Sequence, residues 1–232
     1  FEVGEEEVER GIYADSASLI GDYLFYTTEK AYPFSEVAHY LTYYMGNDTE
    51  LVLPDSYKGY EYGIDASAFE DYSSLTAITI PEGVTNIGEY AFEDCSSLIA
   101  INIPESVTSI GNYAFDDCTA LKTVIIEDGS TTLSMGYNYD SMYNVGEGLF
   151  YDCPLKEVYL GRNLSYKAGE GYGYSPFYNN KTLRAVTITD KETEISDNEF
   201  YGCANLKSVS IGDGVETIGK YAFSGCASLE SF

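Results

Sequence analysis

Apolar positions follow two rhythms that take turns along the chain. In the first, Ile78 and Ile80, with Leu75 ahead of them, fall on one side of a short run while Ala77 and Thr79 fall on the other. Such period-two alternation predicts a strand with one buried face. In the second, Ile87, Ala91, Cys95 and Leu98 recur three or four residues apart with Phe92 beside them. That spacing predicts a short helical or 3₁₀ return segment with one buried stripe. The strand half recurs as LTAITIPEGV, LIAINIPESV, LKTVIIEDGS, LKEVYLGRNL, LRAVTITDKE and LKSVSIGDGV, and the regular units add YAFEDCSSL, YAFDDCTAL and YAFSGCASL. Aligned on Leu75, Leu98, Leu121, Leu155, Leu183, Leu206 and Leu229, the units are 23, 23, 34, 28, 23 and 23 residues long, and a diverged unit of 27 starts at Asp48.

One such unit is too small to bury both of its faces. Parallel stacking at ~4.8 Å lets each Leu, Ile and Phe rest on its counterpart and builds a one-dimensional core. The Phe column then reads Phe69, Phe92, Phe115, Phe150, Phe177, Phe200 and Phe223 without a gap. Cys95, Cys118, Cys153, Cys203 and Cys226 hold an inward position. Side chains stacked in parallel point the same way, which is poor disulfide geometry, so these five are expected to be unpaired, buried and inert.

The stretches Ile80 to Leu98 and Ile103 to Leu121 share the pattern I-P-E-x-V-x-x-I-G-x-Y-A-F-x-x-C-x-x-L. This pattern resembles the BspA-type leucine-rich repeat family. The likeness covers roughly residues 48–232. It implies an α/β repeat solenoid, a right-handed array with one parallel sheet and short 3₁₀ or turn returns. It also implies a bacterial surface or secreted protein that binds host or community partners and carries no catalytic residues of its own. Two units depart from the pattern: 130–149 and 161–176 replace the V-x-x-I-G stretch with Tyr- and Gly-rich insertions.

Residues 1–47 form a separate N-terminal part, a partial repeat with a cap. YLFY (Tyr23 to Tyr26) and YLTYY (Tyr40 to Tyr44) flank a polar, Pro-containing stretch and read as a hairpin that covers the first exposed strand edge. Joining the end to the beginning gives LESFEVG, which resembles LKSVSIG. The sequence is therefore expected to be a piece of a longer array, with any targeting signal outside it.

Charge narrows the classes of partner. The chain carries 38 Asp and Glu against 12 Lys and Arg, a formal net charge of -26. Phosphate backbones are repelled, so nucleic acid is excluded as the expected partner. No stretch approaches the ~20 apolar residues of a membrane helix, so no membrane insertion is expected. With His39 the one histidine, no nucleophile constellation can be built with confidence, and His39 reads as part of the cap. No C-x-x-C pair suggests zinc, and no cofactor is expected. A column after the strands reads Asp55, Glu82, Glu105, Asp128, Arg162, Asp190 and Asp213. It is open to two readings, a calcium ladder or a plain polar turn in which Arg162 relieves repulsion.

Outward strand positions run Ala77/Thr79, Ala100/Asn102, Thr123/Ile125, Glu157/Tyr159, Ala185/Thr187 and Ser208/Ser210. This small, nearly uncharged face suits a partner, or merely suits a crowded ladder. The two insertions lie in adjacent units and are expected to form one surface feature with Tyr137, Tyr139, Tyr143, Tyr166, Tyr172 and Tyr174, beside Glu157 and Tyr159. Tyr among Gly, Ser and Asn suits binding of a protein, glycoprotein or glycan. Packing of the tyrosines on one another is the other reading. Two functions stay open: a monomeric, non-catalytic interaction module, and a spacer that presents another domain.

Overall fold

The computed structural model describes residues 14–29, 37–140, 145–166 and 175–231. Its strands, numbered in chain order, are β1 Ala14–Ile20, β2 Tyr23–Glu29, β3 Val37–Tyr44, β4 Glu50–Val52, β5 Tyr62–Ile64, β6 Ala77–Thr79, β7 Val84–Ile87, β8 Ala100–Ile103, β9 Ser109–Ile110 and β10 Thr123–Ile126. They continue as β11 Leu133–Met135, β12 Tyr137–Asp140, β13 Val145–Gly148, β14 Glu157–Leu160, β15 Leu164–Ser165, β16 Ala185–Ile188, β17 Glu194–Ile195, β18 Ser208–Ile211 and β19 Thr217–Ile218. Each repeat is a coil with a front strand and a return strand, and successive coils pair in parallel.

The front strands form the expected sheet. β4 pairs with β6, and β8, β10, β14, β16 and β18 form a five-stranded run in which Ile101, Val124, Val158, Val186 and Val209 stack in register. Those residues are buried, as are Leu75, Leu98, Leu121, Leu155, Leu183 and Leu206 before them. The alternation read from the sequence therefore places the core correctly. The Phe column is continuous too, with ring centroids 5.2 to 5.6 Å apart from Phe69 to Phe223.

The return half corrects the prediction. There are two parallel sheets rather than one, because V-x-x-I is itself a strand: β5, β7, β9, β11 and β15 form a second parallel ladder. The glycine that follows it has a steric cause. A Cβ on Gly111 would lie 2.5 Å from the Glu89 backbone nitrogen of the preceding coil, while its amide donates to Ile87 O at 2.8 Å.

No helix occurs among the described residues. In five of the seven coils the arc around the Phe fails as a 3₁₀ helix because two of its positions are left-handed, and in the Phe177 coil one is. Tyr90, Tyr113, Asn198 and Tyr221 precede the Phe with φ of 55 to 60°, and Asp94, Asp117, Asn179, Gly202 and Gly225 follow it with φ of 52 to 80°. Asp, Asn and Gly tolerate that conformation best, which accounts for the F-x-D/N/G pattern. The arc's amides turn toward the neighbouring coil instead: Phe69 N donates to Ala91 O and Phe92 N to Ala114 O, both at 2.9 Å.

The five cysteines are free, four of them buried and Cys226 half-buried in the last coil. Each thiol donates to the Phe carbonyl one coil back, Cys118 Sγ to Phe92 O at 3.2 Å for example. In the Phe177 coil, which has no cysteine, Asn180 Nδ2 donates to Phe150 O at 3.1 Å. These six coils thus place a small donor in the column and not merely a small apolar group, while the first coil holds Tyr72 there, its hydroxyl donating to Asp48 O.

The cap contains the expected hairpin, Tyr23 opposite Tyr44 and Tyr26 opposite Tyr40, and is larger by one strand. β1, β2 and β3 form an antiparallel meander, and β3 pairs in parallel with β5 through Tyr40↔Gly63 and Leu41↔Ile64. It therefore covers the edge of the return sheet rather than the front one. Phe25 stacks on Tyr57 at 4.6 Å and meets Tyr62 edge-on at 5.1 Å, which closes the core at that end.

The extra length of the two long units is also narrower than expected. Leu133–Met135 and Leu164–Ser165 are ordinary return strands, paired as Leu133↔Leu164 and Ser134↔Ser165. In the first unit the added chain is the antiparallel hairpin β12–β13. The added chain of the second, 167–174, lies outside the described residues.

Candidate functional site

β14 is the middle strand of the five-stranded front sheet, with β10 and β8 on one side and β16 and β18 on the other. Its outward residues are Glu157 and Tyr159. Register sets Tyr159 between Ile125 and Thr187, and Glu157 between Thr123 and Ala185. The Tyr159 hydroxyl donates to Asp128 Oδ1 at 3.0 Å, which pins the ring across the face and raises the phenol pKa through desolvation and the carboxylate. Asn102 Nδ2 donates to Glu127 Oε1, drawing a second carboxylate over the same face. The front sheet therefore carries a central tyrosine, exposed Ile125 and three carboxylates (Glu127, Asp128, Glu157), in place of a nearly uncharged surface.

The remaining candidates belong to the return side. Tyr137 opens β12, its amide bonded to Asn112 Oδ1 at 3.2 Å. Tyr139 pairs with Gly146 across the hairpin. Tyr166 packs on the core where other coils hold an aliphatic residue, and its hydroxyl donates to Asp197 O at 3.1 Å. Burial raises its pKa, which suits an anchoring residue. Tyr143, Tyr172 and Tyr174 lie outside the described residues. Glu157 and Tyr159 are thus on one sheet, and Tyr137 and Tyr166 follow strands of the other.

The column of acidic turns is tied to the backbone. Glu82 Oε2 accepts from Ser106 N at 3.2 Å, and Glu105 Oε1 accepts from Ser130 N at 3.0 Å, each one coil ahead. Arg162 is fully buried and reaches the carbonyls of Glu105 and Pro104 at 2.7 and 2.8 Å, so it acts as a clamp across coils. Among the described residues no group of three or more His, Cys, Asp and Glu could hold a metal ion. His39 Nδ1 lies 2.9 Å from Thr27 Oγ1 and its ring meets Tyr57 and Tyr60, within the cap as expected.

A family model for the BspA type leucine rich repeat region matches residues 35–166 and 133–232, in six copies. The chain belongs to the BspA-type leucine-rich repeat family. Proteins of this family serve in general as interaction or structural modules. A leucine-rich repeat protein of T. pallidum shares its fold, with 23% identity and a TM-score of 0.59 over 93% of this chain and 87% of its own. A leucine-rich repeat protein of Bacteroides ovatus is 25% identical with a TM-score of 0.49, covering 79% of this chain and 48% of that one. The BspA-type chain described here thus spans about half the length of the second relative. No curated relative matches it.

Two groups escaped the sequence reading. One is a row of cations at the start of four front strands, Lys122, Lys156, Arg184 and Lys207, visible in the aligned runs as Leu followed by Lys or Arg. The other is a pair of fully buried acids in one coil of the BspA-type array. Glu192 stands where Val84, Val107 and Val215 stand in other coils, and Glu199 where Ala91, Ala114 and Ala222 stand. Among the described residues both Glu192 oxygens and Glu199 Oε1 lack a hydrogen-bond partner, while Glu199 Oε2 accepts from Ser196 N at 2.7 Å. Desolvation pushes both carboxyls well above their ordinary range.

Proposed function

We propose that this protein is a non-catalytic interaction module of a bacterial surface or secreted protein, binding a protein, glycoprotein or glycan through its front sheet. Tyr159 on the central strand is the observation that carries this reading. A large amphipathic ring in the middle of a patch of small residues supplies contact area at low entropic cost, and such central tyrosines are where binding energy concentrates. Ile125 extends the apolar part of the patch, and Glu127, Asp128 and Glu157 give it a polar rim. The Tyr-rich hairpin β12–β13 belongs to the other side of the coil and is assigned to packing at the surface.

Array screening against glycans and host and bacterial surface proteins tests the reading, using the native chain beside Tyr159→Ala. Because Tyr159 packs outside the core, the variant keeps its circular dichroism and melting curve. Signals that disappear with Tyr159→Ala support the front sheet as the binding face. Binding that survives the substitution unchanged overturns it. A spacer is favoured by the unbroken Phe stack, which stiffens the array along its axis, and it predicts an empty array.

A further inference from the structure

Five of the chain's 12 cations gather on one edge of the front sheet, in a protein with a net charge of -26. Four of them occupy the same position in successive coils, and the backbone links them rung to rung. Lys156 N donates to Lys122 O at 2.7 Å, Arg184 N to Lys156 O at 3.0 Å, and Lys207 N to Arg184 O at 2.8 Å. The fifth, Lys181, precedes Arg184 in the same coil, with its carbonyl bonded by Asn205 Nδ2. Lys122, Lys181, Arg184 and Lys207 are exposed, and Lys156 Nζ lies 3.5 Å from Thr182 O.

Parallel stacking sets like charges ~5 Å apart along a line of about 15 Å, an arrangement that costs energy unless anions screen it. The molecule has 38 carboxylates available, yet among the described residues the one ion pair within 4 Å is Lys191 with Asp190, at 3.8 Å, away from this row. The far ends of β10, β16 and β18 carry Asp128, Asp190 and Asp213, while two acids stand by the row itself, Glu157 beside Lys156 and Glu230 one coil beyond Lys207. A Debye length of about 8 Å at physiological salt lets the two ends of the sheet act separately.

From this separation we infer that the edge Lys122–Lys156–Arg184–Lys207 is a docking surface for a linear acidic polysaccharide, a chain of sugars bearing carboxylate or sulfate groups that runs along the array axis. The repeat of the protein supplies a cation per coil, and a linear polymer supplies anions at regular intervals to match. Of the outward residues next in each strand, Thr123 and Ser208 offer hydroxyls and Ala185 a flat surface for sugar rings, while the fourth, Glu157, stands between Thr123 and Ala185 and disfavours an anionic group at that one rung. An acidic peptide fits less well. The strands β10, β14 and β16 are hydrogen-bonded on both sides, so no strand can be added, and small outward residues leave no hollows for alternate side chains.

Two triple variants with the same change in net charge provide the test. K122Q/R184Q/K207Q removes the row while leaving Lys156, and K58Q/K191Q/K220Q removes three cations elsewhere. Circular dichroism and melting establish that both remain folded. Calorimetric titration uses a heparin hexasaccharide, a galacturonate hexasaccharide, a neutral hexasaccharide and a polyglutamate peptide. The native chain binds one or both acidic sugars and not the neutral one, and affinity falls severalfold between about 50 and about 200 mM salt. The row variant loses about tenfold or more, and the control variant stays within about twofold. No binding of either acidic sugar at low salt overturns the inference, as does an equal loss in the control variant. Polyglutamate binding as tightly as the sugars also overturns it and assigns the edge to acidic protein segments. None of these outcomes depends on Tyr159, so the proposal for the sheet face stands or falls separately.

Discussion

Replacing Glu192 with valine should stabilise this protein, and more so as the pH rises. The coil from Leu183 to Leu206 buries two carboxyls completely at positions that other coils give to Val and Ala. Neither has a cationic partner among the described residues, and desolvation raises both above the ordinary value of 4.5, with repulsion from Glu199 adding to it at Glu192 and from Glu194 at Glu199. The folded state then holds protons that the unfolded chain releases. Stability contributed by such a group is full below pH 4.5 and is lost as the pH climbs toward the raised folded value. Holding Glu192 neutral in the fold at pH 7, about 2.5 pH units above its ordinary value, costs about 3.5 kcal/mol. An unpaired neutral carboxyl adds about 1 kcal/mol or more at any pH. The expected gain for Glu192→Val is therefore about 4.5 kcal/mol at pH 7, a rise in Tm of roughly 9–18 °C, shrinking to about 1 kcal/mol at pH 4.5. Scanning calorimetry of the native and variant chains at both pH values measures it, and Glu192→Gln separates charge from shape. A gain of equal size at the two pH values, or a loss at pH 7, would refute the reasoning.

Other consequences concern the columns. Gly111→Ala should cost more than about 2 kcal/mol in urea unfolding, since its Cβ meets backbone at 2.5 Å and neither strand can retreat without breaking the ladder. Phe115→Ala, in the middle of the stack, should cost about 3–5 kcal/mol, and a loss under 1 kcal/mol would mean that the coils do not share a core. In the native protein a bulky thiol reagent should label Cys226 first, because it is half-buried and the others are enclosed, and burial raises its thiol to about 11 against about 12 for Cys95. Labelling of Cys118 at the same rate would contradict the packing. Asp94→Gly should be neutral or slightly stabilising, since φ is +56° there and Asp71 and Asp117 repel its carboxylate, whereas Asp94→Val should lose about 1–2 kcal/mol.

What was legible in the sequence follows from what repetition encodes. Inward residues recur because each rests on its own copy, so Leu75, Ile78, Phe92 and Cys95 identified the core without any structure. The return strand was misread because Ile87, Ala91, Cys95 and Leu98 fall at helical spacing only by count. The chain turns twice between Ile87 and Leu98, at the left-handed Tyr90 and Asp94, and backbone angles leave no trace in an apolar period. The Asp, Asn and Gly two residues after each Phe were the available signal. The candidate site was half legible: Glu157 and Tyr159 stood out against small neighbours, but Glu127 and Asp128 fold over that face from the strand ends, and such a contact between coils is invisible to alternation.

Departures from the repeat carry more information about function than the repeat itself, and their distribution is uneven. The regular coils from Leu75 to Leu121 spend almost every inward position on Leu, Ile, Val, Ala, Phe or Cys. The departures start after Leu121: the β12–β13 hairpin, buried Arg162, Tyr166 in an aliphatic column, and Glu192 and Glu199 in the core. The return ladder breaks in the same region. Among the described residues β15 ends the long sheet and β17 pairs only with β19, and Ser196 holds the position that Gly88, Gly111, Gly136 and Gly219 hold elsewhere. A coil held to its neighbour by one ladder fewer, with two acids in its core, is stabilised less than the rest, and local opening should begin there. The front sheet crosses this seam unbroken, with β14 and β16 in full register, and so does the row of cations. The front sheet and its basic edge thus keep their register across the seam, which is the continuity the proposed binding face requires.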